Sequence, residues 1–565
     1  MARQPHDNTE KNVVEYTEPR DVEHQEKIED EPAPTQGLKR DLHARHINMI
    51  ALAGMIGTGL FLGSGKVIAT AGPAGALLAY TLMGCVTAGV AYTTGEITAF
   101  LPHTGGFVRH ATKVVEPALG AATGWNFWYT MSISVPAEIS AAATVIQFWR
   151  TDINPGVWIT IFLIVIITLN LCGVRLYGES EVVFASLKIM LIIGLIIGGI
   201  VINAGGGPSK ERLGFQYWED PGAFNTYIET GAAGGFLAFW KVMLPAAFSY
   251  GNIQVVAISG SETHNPRKTV PAATKKTFYR VLLFYILSIF IVGIIVPYND
   301  PSLALSTGTA QQSPFVIAFS RAGVSVVPSI INGVVCTSAI SSASACIFIA
   351  SRTMYGLSVD GHAPKILQRC NRFGSPHYAI GLTCVLFPLV YLNVANNTSV
   401  VFGWFVNITT VAGLIGWAVI EATYLRFYAG LKAQGHSRKD IPYRSPFQPY
   451  TAWVTLVLVL CVIIFSGERL KKLPVRRQGL KVAGFDVFVK GHFTIDGFLT
   501  CYVNIGIFIV LYLFFKFFLK SKVIPLHEID FESEFRAMRQ EAERLEAENF
   551  EAKKKPLWRR IINSF

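Results

Sequence analysis

INMIALAGMIGTGLFLGSG (47–65) is apolar enough to lie inside a bilayer, yet Gly54, Gly57 and Gly59 interrupt it. Glycine weakens a helix by about 1 kcal/mol relative to alanine. The run GMIGTG (54–59) superficially matches a glycine-rich nucleotide loop, but such a loop needs a preceding strand and a βαβ unit. Here it sits within an apolar helix, which removes the dinucleotide reading. Two readings stay open: close helix packing through glycine, or a stretch that unwinds. Unwinding frees backbone N–H groups, and the N-terminus of the half-helix adds positive partial charge, so the stretch suits a carboxylate. Bare N–H groups in hydrocarbon are costly, so a break must face a cavity or a ligand. Met55, Ile56, Gly57, Thr58 and Gly59 are the candidate residues.

A second apolar run, LPAAFSYGNIQ (244–254), is interrupted by Pro245, Gly251 and Asn252. Unwinding there exposes carbonyl oxygens around Phe248, Ser249, Tyr250 and Gly251, which suit an ammonium group. Together the two breaks match the charged ends shared by all α-amino acids, and Tyr250 and Ile253 are the candidates for reading the side chain. Interrupted spans in corresponding positions, the first and the sixth, fit an inverted five-plus-five repeat with its site at the breaks.

The rest of the chain supports a membrane setting. Of 565 residues, 51% are hydrophobic and 15% charged, against about 25% charged in soluble domains. Residues 67–95, 189–209, 281–299, 322–351 and 378–420 contain no Asp, Glu, Lys or Arg, and a bilayer core takes about 20 apolar residues in a helix. Twelve spans are expected, near 46–68, 74–99, 119–149, 157–174, 182–203, 233–259, 279–298, 326–355, 378–395, 401–426, 451–467 and 497–519. The chain divides into a disordered polar tail (1–44), a transmembrane body (45–520) and a polar tail (521–565), with a helix near 532–555. No apolar signal-peptide core precedes the first span, which is expected to serve as the insertion signal.

The net charge of +11 does not indicate nucleic acid, because the basic residues fall in short loops between spans. They are biased to the side that holds both tails, which predicts cytoplasmic termini. One loop, GERLKKLPVRRQGLK (467–481), opposes the bias. The eight cysteines show no metal or disulfide spacing, and no metal site or cofactor is expected. No nucleophile–base pair or soluble catalytic domain is present, so the chain is not read as an enzyme. Lys188 and Glu138 lie deep in the fifth and third spans, where ionisable groups mark ion or proton paths. A snorkelling Lys188 and a backbone-bonded, neutral Glu138 are the alternatives. Lys241 is placed at the outer end of the sixth span, snorkelling outward or lining a vestibule.

Three long motifs carry a family likeness: LKRDLHARHINMIALAGMIGTGLFLGSG (38–65), SGSETHNPRKTVPAATKKTFYR (259–280) and SRTMYGLSVDGHAPK (351–365). In order and spacing the chain resembles the fungal amino acid permeases, the yeast amino acid transporter family of the amino acid–polyamine–organocation superfamily, over about residues 38–520. The resemblance implies an all-α membrane protein with a LeuT-type inverted repeat plus two C-terminal helices. It implies proton symport of amino acids at the plasma membrane. It places Met55 to Gly59 at the substrate carboxylate, Phe248, Ser249 and Gly251 at the amine, and Lys188 in proton coupling. Two departures stand out. Gln254 occupies a position where relatives carry Glu, which removes a titratable charge. Residues 468–484 split a text that runs continuously in relatives and are read as an insertion.

The expectation is therefore proton-coupled amino acid uptake, with the bilayer, an amino acid and a proton as partners and ubiquitin-ligase adaptors on the tails (Lys11 and Lys27 as acceptors). A non-transporting amino acid sensor, or a permease for γ-aminobutyrate or choline, are the alternatives.

Overall fold

The computed structural model describes residues 57–103, 105–255, 266–304, 313–396, 398–465 and 495–554. Among these residues all regular structure is helical. Seven helices are long and apolar enough to cross a membrane. Three shorter apolar helices accompany them: Pro155–Leu171, Leu282–Ile295 and Tyr450–Ile464.

The first apolar run, Gly59–Phe100, has 42 residues, which at about 1.5 Å per residue is twice the thickness of a bilayer core. It opens with a π-helical turn, Gly59–Gly63, and continues as α1, Ser64–Phe100. A corner at Gly72 (φ 75°, ψ 171°), followed by Pro73, divides it. A Cβ on Gly72 would meet the backbone of Asn225 at 2.7 Å and Ala223 at 2.8 Å. The loop through those residues crosses the corner and pairs with it, Ala74 N to Ala223 O at 2.9 Å and Asn225 N to Ala71 O at 3.1 Å. Only glycine satisfies both the left-handed angle and the close crossing.

A short amphipathic helix, α2 (Phe107–Val114), leads to α3 (Pro117–Ile146). Then come α4 (Pro155–Leu171) and α5 (Val174–Asn203), whose exposed Ile161, Ile164, Met190 and Ile197 form a face suited to lipid. The sixth apolar run is broken into α6 (Gly231–Lys241) and α7 (Met243–Ser249). Next are α8 (Pro266–Ile295), α9 (Pro314–Arg321) and α10 (Val327–Val359). The span expected at 378–395 is α-helical over α11, His377–Cys384, passes through a 3-10 turn, Phe387–Tyr391, and returns to α-helix at Leu392–Ala395. Pro388 explains this: it supplies no N–H and its ring clashes with the carbonyl four residues back, at Cys384. The remaining helices are α12 (Thr398–Ala433), α13 (Tyr450–Ile464), α14 (Ile495–Phe518) and α15 (Glu532–Lys554).

The centre is α3, buried along most of its length, with α10 and α12 packed along it. After α14 the chain folds back as a strap. Ile524 N bonds Val115 O at 2.9 Å, Arg426 holds Val114 O and Ile524 O, and Gln434 Nε2 donates to Leu526 O and Ile529 O. Phe531 and Phe535 pack edge-on against Phe100, and Arg267 pairs with Glu541 at 2.6 Å. Met55, Ile56, Lys11, Lys27 and the 468–484 segment lie outside the described residues.

Candidate functional site

The two glycine-bearing stretches meet at one place. At the first, Gly57 is non-helical and Thr58 precedes the π turn. At the second, α7 ends at Ser249 and the chain turns through Tyr250–Gln254. The left-handed residue there is Asn252 (φ 70°), not Gly251; asparagine tolerates that region.

The two breaks touch. A Cβ on Gly59 would lie 2.8 Å from Ser249 Oγ and 3.0 Å from Ser249 Cα, and one on Gly57 would lie 2.9 Å from Glu138 Oε1. Between them is a cavity of about 60 Å³ lined by Gly57, Gly59, Glu138, Phe248, Ser249, Gly251 and Gln254, together with residues of α3, α10 and α12. At about 10–15 Å³ per water centre, it holds roughly four water positions.

Of the residues expected from sequence, Gly57, Gly59, Glu138, Phe248, Ser249 and Gly251 line this cavity. Thr58 is fully buried beside it. Tyr250 and Ile253 are buried but are not among its lining residues. The Tyr250 ring instead packs against Tyr80 and Tyr285 at centroid distances of 6.1 and 4.9 Å. The expectation that these two read the substrate side chain is corrected accordingly: at the end of α7 the Tyr250 ring joins the aromatic packing between α1 and α8. Two expected amine-binding carbonyls already accept bonds. Phe248 O takes Gly251 N–H at 3.1 Å and is also met by Tyr250 N–H, and Ser249 O takes the Tyr285 hydroxyl at 2.8 Å. A carbonyl has two lone pairs, so Ser249 O keeps one acceptor site.

Apart from Glu138, the other walls were not singled out from sequence. Thr130, Ser134 and Glu138 come from α3, Ser342 and Cys346 from α10, and Thr409, Gly413 and Trp417 from α12. In each case the residues are four apart, which puts them on one helical face. That spacing of small polar groups within apolar spans is the signal that finds them. Ser134 Oγ donates to Thr130 O at 2.7 Å and Thr130 Oγ1 to Asn126 O at 2.8 Å, leaving the hydroxyl lone pairs as acceptors. Trp417 Nε1 donates to Gln254 Oε1 at 3.0 Å. Indole N–H is only a donor, which fixes the amide orientation and leaves its NH₂ for other partners.

Two lining groups, Glu138 Oε2 and Thr409 Oγ1, are buried without a hydrogen-bond partner among the described residues. Buried polar atoms are rarely left so, and here both face space that a ligand or water fills. Lys188 is 1% exposed and donates from Nζ to Ser342 Oγ at 3.3 Å. It lies within electrostatic reach of Glu138. A third member, Glu181, was missed. It stands seven residues before Lys188 and accepts from Ser341 Oγ at 2.8 Å. Lys241 is half-buried at the α6–α7 joint and is not part of the cavity wall.

A family model described as amino acid permease matches residues 46–527. The chain is 38% identical over 500 residues to the dicarboxylic amino acid permease of Saccharomyces cerevisiae, covering 87% of this chain and 79% of that one. It is 38% identical over 492 residues to the proline-specific permease of Emericella nidulans, covering 86% of each. To the S-adenosylmethionine permease of Candida albicans it is 40% identical over 427 residues, covering 76% of this chain and 69% of the relative. With the family matched over most of its length and apolar helices throughout, the chain is a multi-pass membrane protein that belongs to the amino acid permease family.

Proposed function

We propose that this protein carries α-amino acids inward across the plasma membrane together with protons, as a twelve-span permease with a LeuT-type repeat and both tails cytoplasmic. The observation that carries the proposal is the meeting of the two glycine-bearing stretches, Gly57 and Gly59 against Phe248 and Ser249, at one cavity with polar groups in its wall. Thr58 N–H is directed at Glu138, and the N–H groups from Gly59 onward, which open the turn, receive the substrate carboxylate. Glu138 Oε2 and the second lone pair of the Ser249 carbonyl receive the ammonium. Such a grip reads only the amino acid head. Relatives named for dicarboxylic amino acids, proline and S-adenosylmethionine differ in side chain but share that head. The side chain then meets Gln254, Thr410 and Trp417.

Glu138 is the group that gains and loses the transported proton, beside Lys188. Proton binding neutralises a carboxylate at the substrate site, and rocking of one repeat against the other exchanges the open side. Uptake of labelled amino acids in permease-deficient yeast, with and without a protonophore, tests the proposal. Uptake that collapses with the protonophore and is competed by α-amino acids but not by choline, which has no carboxylate, is expected. Absence of uptake for every amino acid overturns it, and competition by choline removes the head-group mechanism.

A further inference from the structure

Glu181 has no place in the cavity wall, yet it is buried to 1% exposure in a span. Seven residues separate it from Lys188 on α5, so both project from one face. Adjacent hydroxyls on α10 meet the pair: Ser341 Oγ donates to Glu181 Oε1 at 2.8 Å, and Ser342 Oγ accepts from Lys188 Nζ at 3.3 Å. Ser342 lines the cavity and stands 3.7 Å from where a side chain on Gly57 would begin. A continuous set of polar groups thus runs from the glycine break through Ser342 and Lys188 to Glu181. Facing this set are Glu138 from α3, Cys346 from α10, Tyr177 from α5 with Arg352 of α10 beyond it, and Tyr285 from α8.

Two carboxylates therefore flank one amine. With all three ionised the cluster carries one net negative charge, and one proton brings it to zero. In a low-dielectric interior a net charge costs more than a balanced set. The two acids are not equivalent: Glu138 borders the cavity and has an unpartnered oxygen, whereas Glu181 is behind the wall and accepts from a fixed serine. We infer that Glu181 is a positioning residue of the transport site, the standing counter-ion that holds the Lys188 ammonium at the Ser342 end of the cavity wall.

This inference rests on the proton-coupled reading. Its test is amino acid exchange and proton-driven uptake by the full-length protein in liposomes, measured across external pH. Glu181→Gln is expected to reduce proton-driven uptake by about tenfold or more, the scale of a lost charge-assisted bond, and to move its pH profile toward acid. Glu181→Asp is expected to restore part of the rate and the original profile. A merely structural role would lower the amount of protein and leave the profile and KM of the surviving molecules unchanged, and that result overturns the inference. If Glu181→Gln does not fold, the double variant Glu181→Gln with Lys188→Met decides, since it removes both charges together. It is expected to show a pH profile displaced from that of the wild type, because Glu138 then titrates without either neighbouring charge; an unchanged profile overturns the inference. Wild-type transport with no pH dependence instead overturns the proton-coupled reading, and the inference falls with it.

Discussion

Two buried glutamates, Glu96 of α1 and Glu138 of α3, have opposite surroundings. Glu96, fully buried in α1, accepts from Arg438 Nε and Arg438 NH2, each at 2.8 Å, from Tyr424 OH at 2.8 Å, and from Ser445 N at 2.7 Å and its hydroxyl. Arg438 also ties to Ser445 O and Gln448 O. This carboxylate is saturated, and it fastens the 434–449 loop to α1 and α12. Glu138 has an oxygen with no donor and an open space beside it. A carboxylate whose lone pairs are all taken can do nothing but hold its surroundings. One left open is available to a substrate or a proton. Burial alone does not separate these roles; the count of donors does.

The largest effect is expected from breaking the saturated site. Arg438→Ala leaves Glu96 as an unpaired buried charge, and removing one partner of such a pair costs about 3–5 kcal/mol. Thermal unfolding in detergent should show a much lower midpoint, while molecules that remain folded keep their KM. Glu138→Gln should do the reverse. It conserves volume, so the melting midpoint should move little, while uptake per surface molecule should fall and lose its dependence on the proton gradient, because an amide takes up no proton. Equal stability losses in the two variants would erase the distinction between the sites.

Gly59→Ala falls between. Its Cβ would meet Ser249 Cα at 3.0 Å, a backbone contact that cannot swing aside, and overpacking of this kind costs about 1–3 kcal/mol. Uptake should fall more than stability, because the shift separates the two breaks. The smallest effect concerns the strap. Burial works to raise the Glu534 carboxyl, but the His103 hydrogen bond and the charges of His103, Lys113 and Arg267 hold it below its ordinary value. A depressed carboxylate contributes fully above its unfolded value of about 4.3 and loses that contribution as pH falls through the lower folded value. Protease sensitivity of the tail should thus be flat across neutral pH and rise only below about pH 4.

The break after Ser249 was legible in the sequence because glycine and proline act locally on the backbone. Gly57, Gly59 and Gly251 lie where the interruption of an apolar run put them. The α3, α10 and α12 walls were not read, because serine and threonine inside a span also serve helix packing; only the four-residue spacing of Thr130, Ser134 and Glu138 sets them apart. Glu181 was missed for a different reason. The fifth span was taken to begin at 182, so a residue one position outside it counted as loop, although its seven-residue distance from Lys188 already placed both on one face. Tyr250 was misjudged because a residue at a helix terminus leaves the periodicity that sets side-chain direction.

The strap has a consequence for any rearrangement of the spans. Phe531 is wedged between Phe100 at the end of α1 and Phe427 on α12, with ring centroids at 6.0 and 5.6 Å, and a Cβ on Gly430 would already crowd it at 3.1 Å. The ends of two separate spans are thereby glued through a third piece of chain. If those ends part during a transport cycle, the aromatic wedge must travel with one of them and shed the other. A shortened or fused tail then alters the balance between open and closed forms without touching the substrate cavity.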